Sequence, residues 1–263
     1  MSDTVGDTLR HRDLEQIALV TLRCARILMQ SGCRARVVHA CGEALARAQG
    51  VDLLGFRVGY ASIAITLGDR VNSITRMVTV TQHGVNHQRD WSVRALVREA
   101  TEGRLSLGEI DARLDTLERQ APSYPAWLVA DAVGLACAAF GVVLGIDHLA
   151  FLPVMVASSL GQFLRHQLLL RGINVYVVAT ATALLAAGLC GLGARFAGSS
   201  TVDLAMFAAV LLLVPGVPAT NALADVIDGY PTLGSARGVS VLMVMLFTST
   251  GLWLARLLAG MQL

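Results

Sequence analysis

The part of the chain after residue 124 carries very few charges. Residues 125–263 contain 5 Arg and 5 acidic residues in 139 positions, whereas residues 1–124 contain 16 Arg and 14 acids. About a quarter of the residues of an ordinary soluble chain are charged, and apolar stretches of about 20 residues match the width of a bilayer. The sequence therefore predicts a soluble part followed by a membrane part, with Pro122 and Pro125 at the boundary.

Local patterns predict a soluble α+β domain over residues 14–124, after a disordered tail over residues 1–13. Apolar residues at helical spacing predict helices, and β-branched residues predict a hairpin or small sheet. The predicted helices cover residues 14–31, 36–49, 88–101 and 107–120, and the predicted strand regions cover residues 53–67 and 71–81. Ser106 and Glu109 have the spacing of a capping box at the start of the last of these helices.

The predicted membrane domain, residues 125–263, contains five apolar segments. They cover residues 126–146, 149–164, 173–194, 202–227 and 238–259. Five of the seven arginines near segment ends fall on the side of the N-terminal domain. The positive-inside rule then places that domain in the cytoplasm, and an odd number of transmembrane helices places the C-terminus outside.

Composition excludes several classes of function. All 21 basic residues are Arg, which excludes a Lys nucleophile, a Schiff base and a P-loop lysine. Arginines alternate with acids, which disfavours nucleic acid as a partner. The pairs His39/Cys41 and His83/His87 lack a third metal ligand at a suitable spacing, so no metal, cofactor or catalytic residue is predicted. Five cysteines without a CxxC pair suggest reduced thiols.

The fourth apolar segment contains the sequence Pro215-Gly216-Val217-Pro218. Pro215 and Pro218 lack the amide hydrogens that a regular helix needs, so the carbonyls of Leu211 and Val214 are expected to lose their donors. In a bilayer, such a break persists only against protein or in a wet cavity. Broken helices of this kind form substrate sites in transporters. We therefore expect a break in the middle of this transmembrane segment.

A second half-helix is expected to start after Pro218, with its free amides facing a carboxylate. Asn221 would orient the substrate, and Asp225, four residues further on the same face, would be a proton-linked or ammonium-binding group. The candidate substrate-binding residues are Pro215, Gly216, Pro218, Ala219, Thr220, Asn221, Asp225 and, from the first transmembrane segment, Asp131.

Simpler interpretations of the same residues remain open. The proline pair could be only a kink, with Asp225 at the membrane interface, and Asp131 could be an acid favoured by the dipole of its helix. An intramembrane aspartyl protease would pair Asp131 with Asp225. However, Ala222-Leu223-Ala224 precedes Asp225, where that family has Gly-x-Gly.

Four stretches of the chain resemble the threonine/serine exporter family. They are 210–218 with Asn221–Asp225, 122–128, Gly84-Val85-Asn86, and Ser106–Glu109. Their order and spacing agree over about residues 14–260. The likeness is strongest to the larger subunit of the split, two-component type implicated in succinate export. One departure is Gly32-Cys33-Arg34, where the family commonly has Gly-Ala-Glu.

This resemblance implies an exporter subunit in the bacterial inner membrane. A second, smaller membrane subunit would supply the other half of the transporter, and assembly of several copies of this chain is also open. The substrate would be a small carboxylate metabolite, either a dicarboxylate such as succinate or threonine and serine. The rival interpretation is a membrane-tethered sensor or enzyme that acts through its soluble domain.

Overall fold

A computed structural model describes residues 11–68, 73–81, 83–119 and 124–260. The described residues form two compact units. Unit 1 comprises those up to residue 121 together with residues 217–238, and unit 2 comprises residues 124–216 with residues 239–260. Most of the predicted tail, Asp69, and Pro122 and Ser123 at the predicted boundary lie outside the described residues. The first helix already begins at His11, inside the predicted tail.

Unit 1 begins with helices and a small sheet. Its elements are α1 (His11–Gln30), α2 (Ala35–Ala48), β1 (Asp52–Val58), β2 (Ser62–Gly68), β3 (Ser73–Thr79), α3 (His87–Thr101) and α4 (Leu107–Arg119). The strands form an antiparallel sheet with β2 in the centre. The predicted small sheet is confirmed. It contains three strands because the region 53–67 includes a turn at residues 59–61.

The core of unit 1 lies around α1. This helix contacts α2, α3, α4 and two strands, and β2 buries Ile63, Ile65 and Leu67 by the alternation typical of a strand. Arg23 of α1 binds the acids of α4, with its Nη2 2.7 Å from Glu118 Oε2. A charge in the middle of this amphipathic helix thus links α1 to α4.

Two helix starts follow the expected capping chemistry. Asn86 Oδ1 accepts a hydrogen bond from the amide of Arg89 at the start of α3. The Ser106 amide donates to Glu109 Oε2 at 2.8 Å, and the Glu109 amide donates to Ser106 Oγ at 3.4 Å. These reciprocal bonds confirm the predicted capping box.

Unit 2 is helical. Its elements are α5 (Ala126–Leu144), α6 (His148–Leu170), α7 (Val175–Phe196), α8 (Val202–Val210), a 3₁₀ turn (Leu211–Leu213) and the part of α10 (Pro231–Leu258) from residue 239 onwards. Its core is built mainly from alanines, whereas large apolar side chains such as Val143, Leu192 and Phe196 are exposed. Small residues inside and large apolar residues outside are typical of helices that pack within lipid.

Three described helices are long and apolar enough to cross a membrane, namely α5, α7 and α10. The count rises to four if α8 with its 3₁₀ turn and α9 (Gly216–Ile227) are taken as one broken span. Helix α6, which contains the second predicted span, does not qualify. Its second half contains Gln162, Arg165, His166 and Gln167, which lower its hydropathy. The prediction of five transmembrane helices is therefore confirmed only in part.

We expect Gly251→Ala to lower the thermal stability of the detergent-solubilised chain. A Cβ at Gly251 in α10 would lie 2.4 Å from the carbonyl oxygen of Thr180 in α7, so the two helices would have to separate. The matched control is Gly188→Ala in α7, where a Cβ meets no atom within 4 Å. That change should be neutral or stabilise by up to about 1 kcal/mol. Equal unfolding temperatures for the two variants would contradict this packing.

Candidate functional site

The fourth apolar segment is broken at Val214 and Pro215. The 3₁₀ turn ends at Leu213, Val214 is extended with φ −65° and ψ 116°, and α9 starts at Gly216. A residue before proline is pushed out of the helical region, so the break follows directly from the sequence.

The backbone carbonyls beside the break form hydrogen bonds that the sequence did not predict. The carbonyl of Leu211 accepts from the amide of Val214 at 3.1 Å, and the carbonyl of Val214 accepts from the amide of Gly216 at 2.9 Å. The expectation that these two carbonyls lack donors is therefore wrong, because tight local turns replace the missing helical bonds.

The second half-helix also starts earlier than predicted. Pro218 is the third residue of α9, inside its first turn, rather than the residue before the helix. The prediction failed because first-turn amides have no partner inside the helix, so proline is tolerated there. Pro215 and Ala219 are half-buried, whereas Gly216 and Pro218 are exposed. The hydroxyl of Thr220 donates to the carbonyl of Val217 at 3.0 Å.

Asn221 and Asp225 do lie on one face of α9, and both contact the turn between α1 and α2. Asn221 Nδ2 donates to the carbonyl of Gly32 at 2.7 Å. The Asp225 side chain is completely buried, and its Oδ1 accepts from the amide of Ala35 at 2.8 Å. Ala35 is the first residue of α2, so the carboxylate lies at a helix N-terminus, where negative charge is favoured.

The other oxygen of Asp225 binds Arg237, a residue in the second turn of α10. Arg237 Nη1 lies 2.5 Å from Asp225 Oδ2, and Arg237 Nη2 donates to the carbonyl of Cys33 at 2.8 Å. Only 7% of the Arg237 side chain is exposed. Asp225 and Arg237, with the α1–α2 turn that they bind, form a cluster that we call the Asp225–Arg237 latch.

The α1–α2 turn is shaped to receive these partners. Its N-cap residue, Arg34, makes no side-chain capping bond, so Asp225 takes over that role from a distant part of the chain. Gly32 has φ +84°, and a Cβ there would lie 2.6 Å from the carbonyl oxygen of Gly84. The backbone amide of Asn86 donates a hydrogen bond to the carbonyl of Ser31. Two of the stretches that resemble the exporter family thus meet at this turn.

Two ionisable groups near the latch, His83 and Cys33, have shifted pKa values that favour their neutral forms. The ring of His83 stacks on Tyr60 with centroids 4.1 Å apart. Burial lowers the pKa of His83, and the charge of Arg237 adds to the effect. Burial raises the pKa of the Cys33 thiol to about 12, assisted by its hydrogen bond to Asp90. Arg237 therefore carries the positive charge that faces Asp225.

The remaining candidate, Asp131, is an exposed residue in the second turn of α5 and belongs to unit 2. Sequence reasoning did not identify Arg237 as a site residue. A buried acid needs a counter-charge, and Arg237 is the next arginine in the chain after Asp225, which is the signal that could have found it. The structure shows no cluster of three metal-ligating side chains among its described residues.

We expect Asp225→Asn and Arg237→Gln each to lower the free energy of unfolding by about 3–5 kcal/mol, because each leaves a buried partner unpaired. The double variant should lose less than the sum of the two. Denaturant titration in detergent, followed by tryptophan fluorescence, measures these values. Arg36→Gln is the control, since Arg36 is mostly exposed and 3.5 Å from Asp228. Its effect should stay within about 0.5 kcal/mol. Strictly additive losses would show that Asp225 and Arg237 are not coupled.

Apolar helices, one of them broken next to a proline, together with a buried charge pair, are typical of membrane transport proteins. The family described as "Putative threonine/serine exporter" matches residues 19–258. This chain belongs to that family.

Two relatives are similar over nearly their whole length. Each is named "Probable succinate transporter subunit YjjP", and each is 28% identical over 247 residues, or 94% of this chain. The protein from Klebsiella aerogenes is covered to 95% and that from Escherichia coli strain K12 to 96%. No solved structure matches the chain significantly. These names support a transporter role rather than that of a sensor or enzyme.

Proposed function

We propose that this chain is a subunit of an inner-membrane exporter that moves a small dicarboxylate out of the cell together with a second, smaller membrane subunit. Its relatives are named as subunits of a transporter over nearly their full length. Five transmembrane helices in this chain would be completed by those of the partner, which supplies the other half of the transport path. The N-terminal domain would be cytoplasmic and the C-terminus outside, as the arginine distribution suggests.

One observation favours a dicarboxylate over threonine or serine. The carboxylate of Asp225 is already neutralised by Arg237. An amino acid brings an ammonium group, which needs an unpaired acid, whereas a dicarboxylate needs only cations and hydrogen-bond donors. The description of the family keeps threonine and serine as the alternative substrates.

The hydrogen bonds of the latch suggest how Asp225 would act during the transport cycle. Both oxygens of Asp225 are occupied in this conformation. For Asp225 to accept a proton at Oδ2, Arg237 must move away, and the hydrogen bond from Arg237 to the carbonyl of Cys33 would be lost. Proton-coupled export would therefore loosen the α1–α2 turn in each cycle. The amides of the first turn of α9, around Pro218 and Ala219, would receive the substrate carboxylate.

Metabolite export from the native host tests this proposal, because the partner is present there. Deletion of the gene should lower extracellular succinate relative to intracellular succinate, and the wild-type gene should restore it. The double variant Asp225→Asn/Arg237→Gln should export about ten- to a hundredfold less at equal membrane abundance, since charged hydrogen bonds contribute roughly 1.5–3 kcal/mol. Arg36→Gln should export normally.

The competing outcomes are distinct. Loss of threonine and serine export with unchanged succinate would select the amino-acid alternative. Unchanged export of all three metabolites would contradict an exporter role. Export by this chain alone, in a host that lacks every family member, would contradict the need for a second subunit.

A further inference from the structure

Arg165 in α6 is a half-buried cation whose charge has no partner among the residues that the structure describes. The other arginines of unit 2 differ from it. Arg256 pairs with Asp203 at 3.1 Å, Arg195 donates to the carbonyl of Ala259, and Arg171 is exposed at the end of α6. An ionisable residue in a membrane domain generally has a partner or faces a cavity or pathway.

Two other polar side chains lie near this part of α6. Gln162 lies three residues earlier on α6, on the same face as Arg165, and is also half-buried. Thr182 of α7 is completely buried, and its hydroxyl has no hydrogen-bond partner among the described residues. The methyl group of Thr182 lies 3.5 Å from where a Cβ of Gly161 would be, one turn before Arg165. Buried polar groups in native proteins rarely lack a hydrogen-bond partner.

The packing of α6 against the fourth apolar segment sets the level of Arg165. Ser158 Oγ donates to the carbonyl of Ala209 at 3.1 Å. One turn further, a Cβ at Gly161 would lie 3.6 Å from Leu212 Cδ2. These two contacts advance in the same direction along both segments, so we expect the next turn of α6 to bring Arg165 close to the level of the break that follows Val214.

We infer that Arg165 binds a carboxylate group of the transported metabolite beside the break in the fourth apolar segment, with Gln162 as an additional donor. This inference rests on the proposed function. A guanidinium donates two parallel hydrogen bonds to a carboxylate, which gives both affinity and orientation. A dicarboxylate brings the negative charge that Arg165 lacks within this chain.

Lipid phosphate is a less suitable partner for Arg165. Helix α6 continues for five more residues, Leu168–Leu170 among them, which adds about 7.5 Å at 1.5 Å per residue. Arg171, which follows directly, is exposed and better placed for a headgroup. The half-buried position of Arg165 favours a solute inside the protein.

The test uses the native complex, purified from the host in detergent and reconstituted in proteoliposomes. We expect Arg165→Gln to raise the apparent KM for succinate about ten- to a hundredfold, as expected for a lost charged hydrogen bond, and Arg165→Lys to fall between it and wild type. Arg171→Gln, a matched loss of charge directly after the same helix, should leave the KM unchanged. Succinate should raise the unfolding temperature of the wild type and of Arg171→Gln, but not that of Arg165→Gln.

Other outcomes would overturn the inference in distinguishable ways. A wild-type complex that transports succinate, with an unchanged KM in Arg165→Gln, would refute the role of Arg165 and leave the proposed function intact. Loss of the co-purified partner in Arg165→Gln would assign this residue to the subunit interface instead. Loss of a bound anionic lipid, with an unchanged succinate KM, would assign it to a headgroup. A wild-type complex that transports no carboxylate would refute the proposed function and this inference together.

Discussion

A buried ion pair between Asp225 and Arg237 organises the region that follows the break. Removing two charges from water costs several kcal/mol for each ion, so such a pair persists only when both charges have further hydrogen bonds. Here the amide of Ala35 and the carbonyl of Cys33 supply them. The chain after the break thereby becomes part of unit 1, whose core also includes Leu233 from the start of α10.

Several of the few charges of unit 2 also have partners. Asp147 caps α6 and also accepts the amide of Ser200, so it joins two loops at one end of the helices. Arg256 pairs with Asp203. Arg165 has neither kind of partner among the described residues. If the transported metabolite is an anion, as we propose, a cation without a partner within its own chain is a suitable residue for substrate recognition.

The two ideas about function use the two charge arrangements differently. In the latch, the carboxylate of Asp225 already pairs with Arg237. A substrate or proton can therefore act there only by displacing a bond that holds the α1–α2 turn. At Arg165 the guanidinium needs no such displacement. A substrate carboxylate bound beside the break and a proton taken up at Asp225 would act on the two ends of the same short stretch of chain, from Val214 to Asp225.

The sequence by itself determined the α+β character of the first part, the capping box at Ser106, the apolar helices and the break at Pro215, because each depends on residues close together in the chain. It did not determine the partner of Asp225. Ala35 lies 190 positions away, and Arg237 becomes a neighbour only after the chain turns between α9 and α10. Local turns also provide hydrogen-bond donors for the carbonyls of Leu211 and Val214. Such pairings depend on which surfaces pack together, and only the tertiary structure decides that.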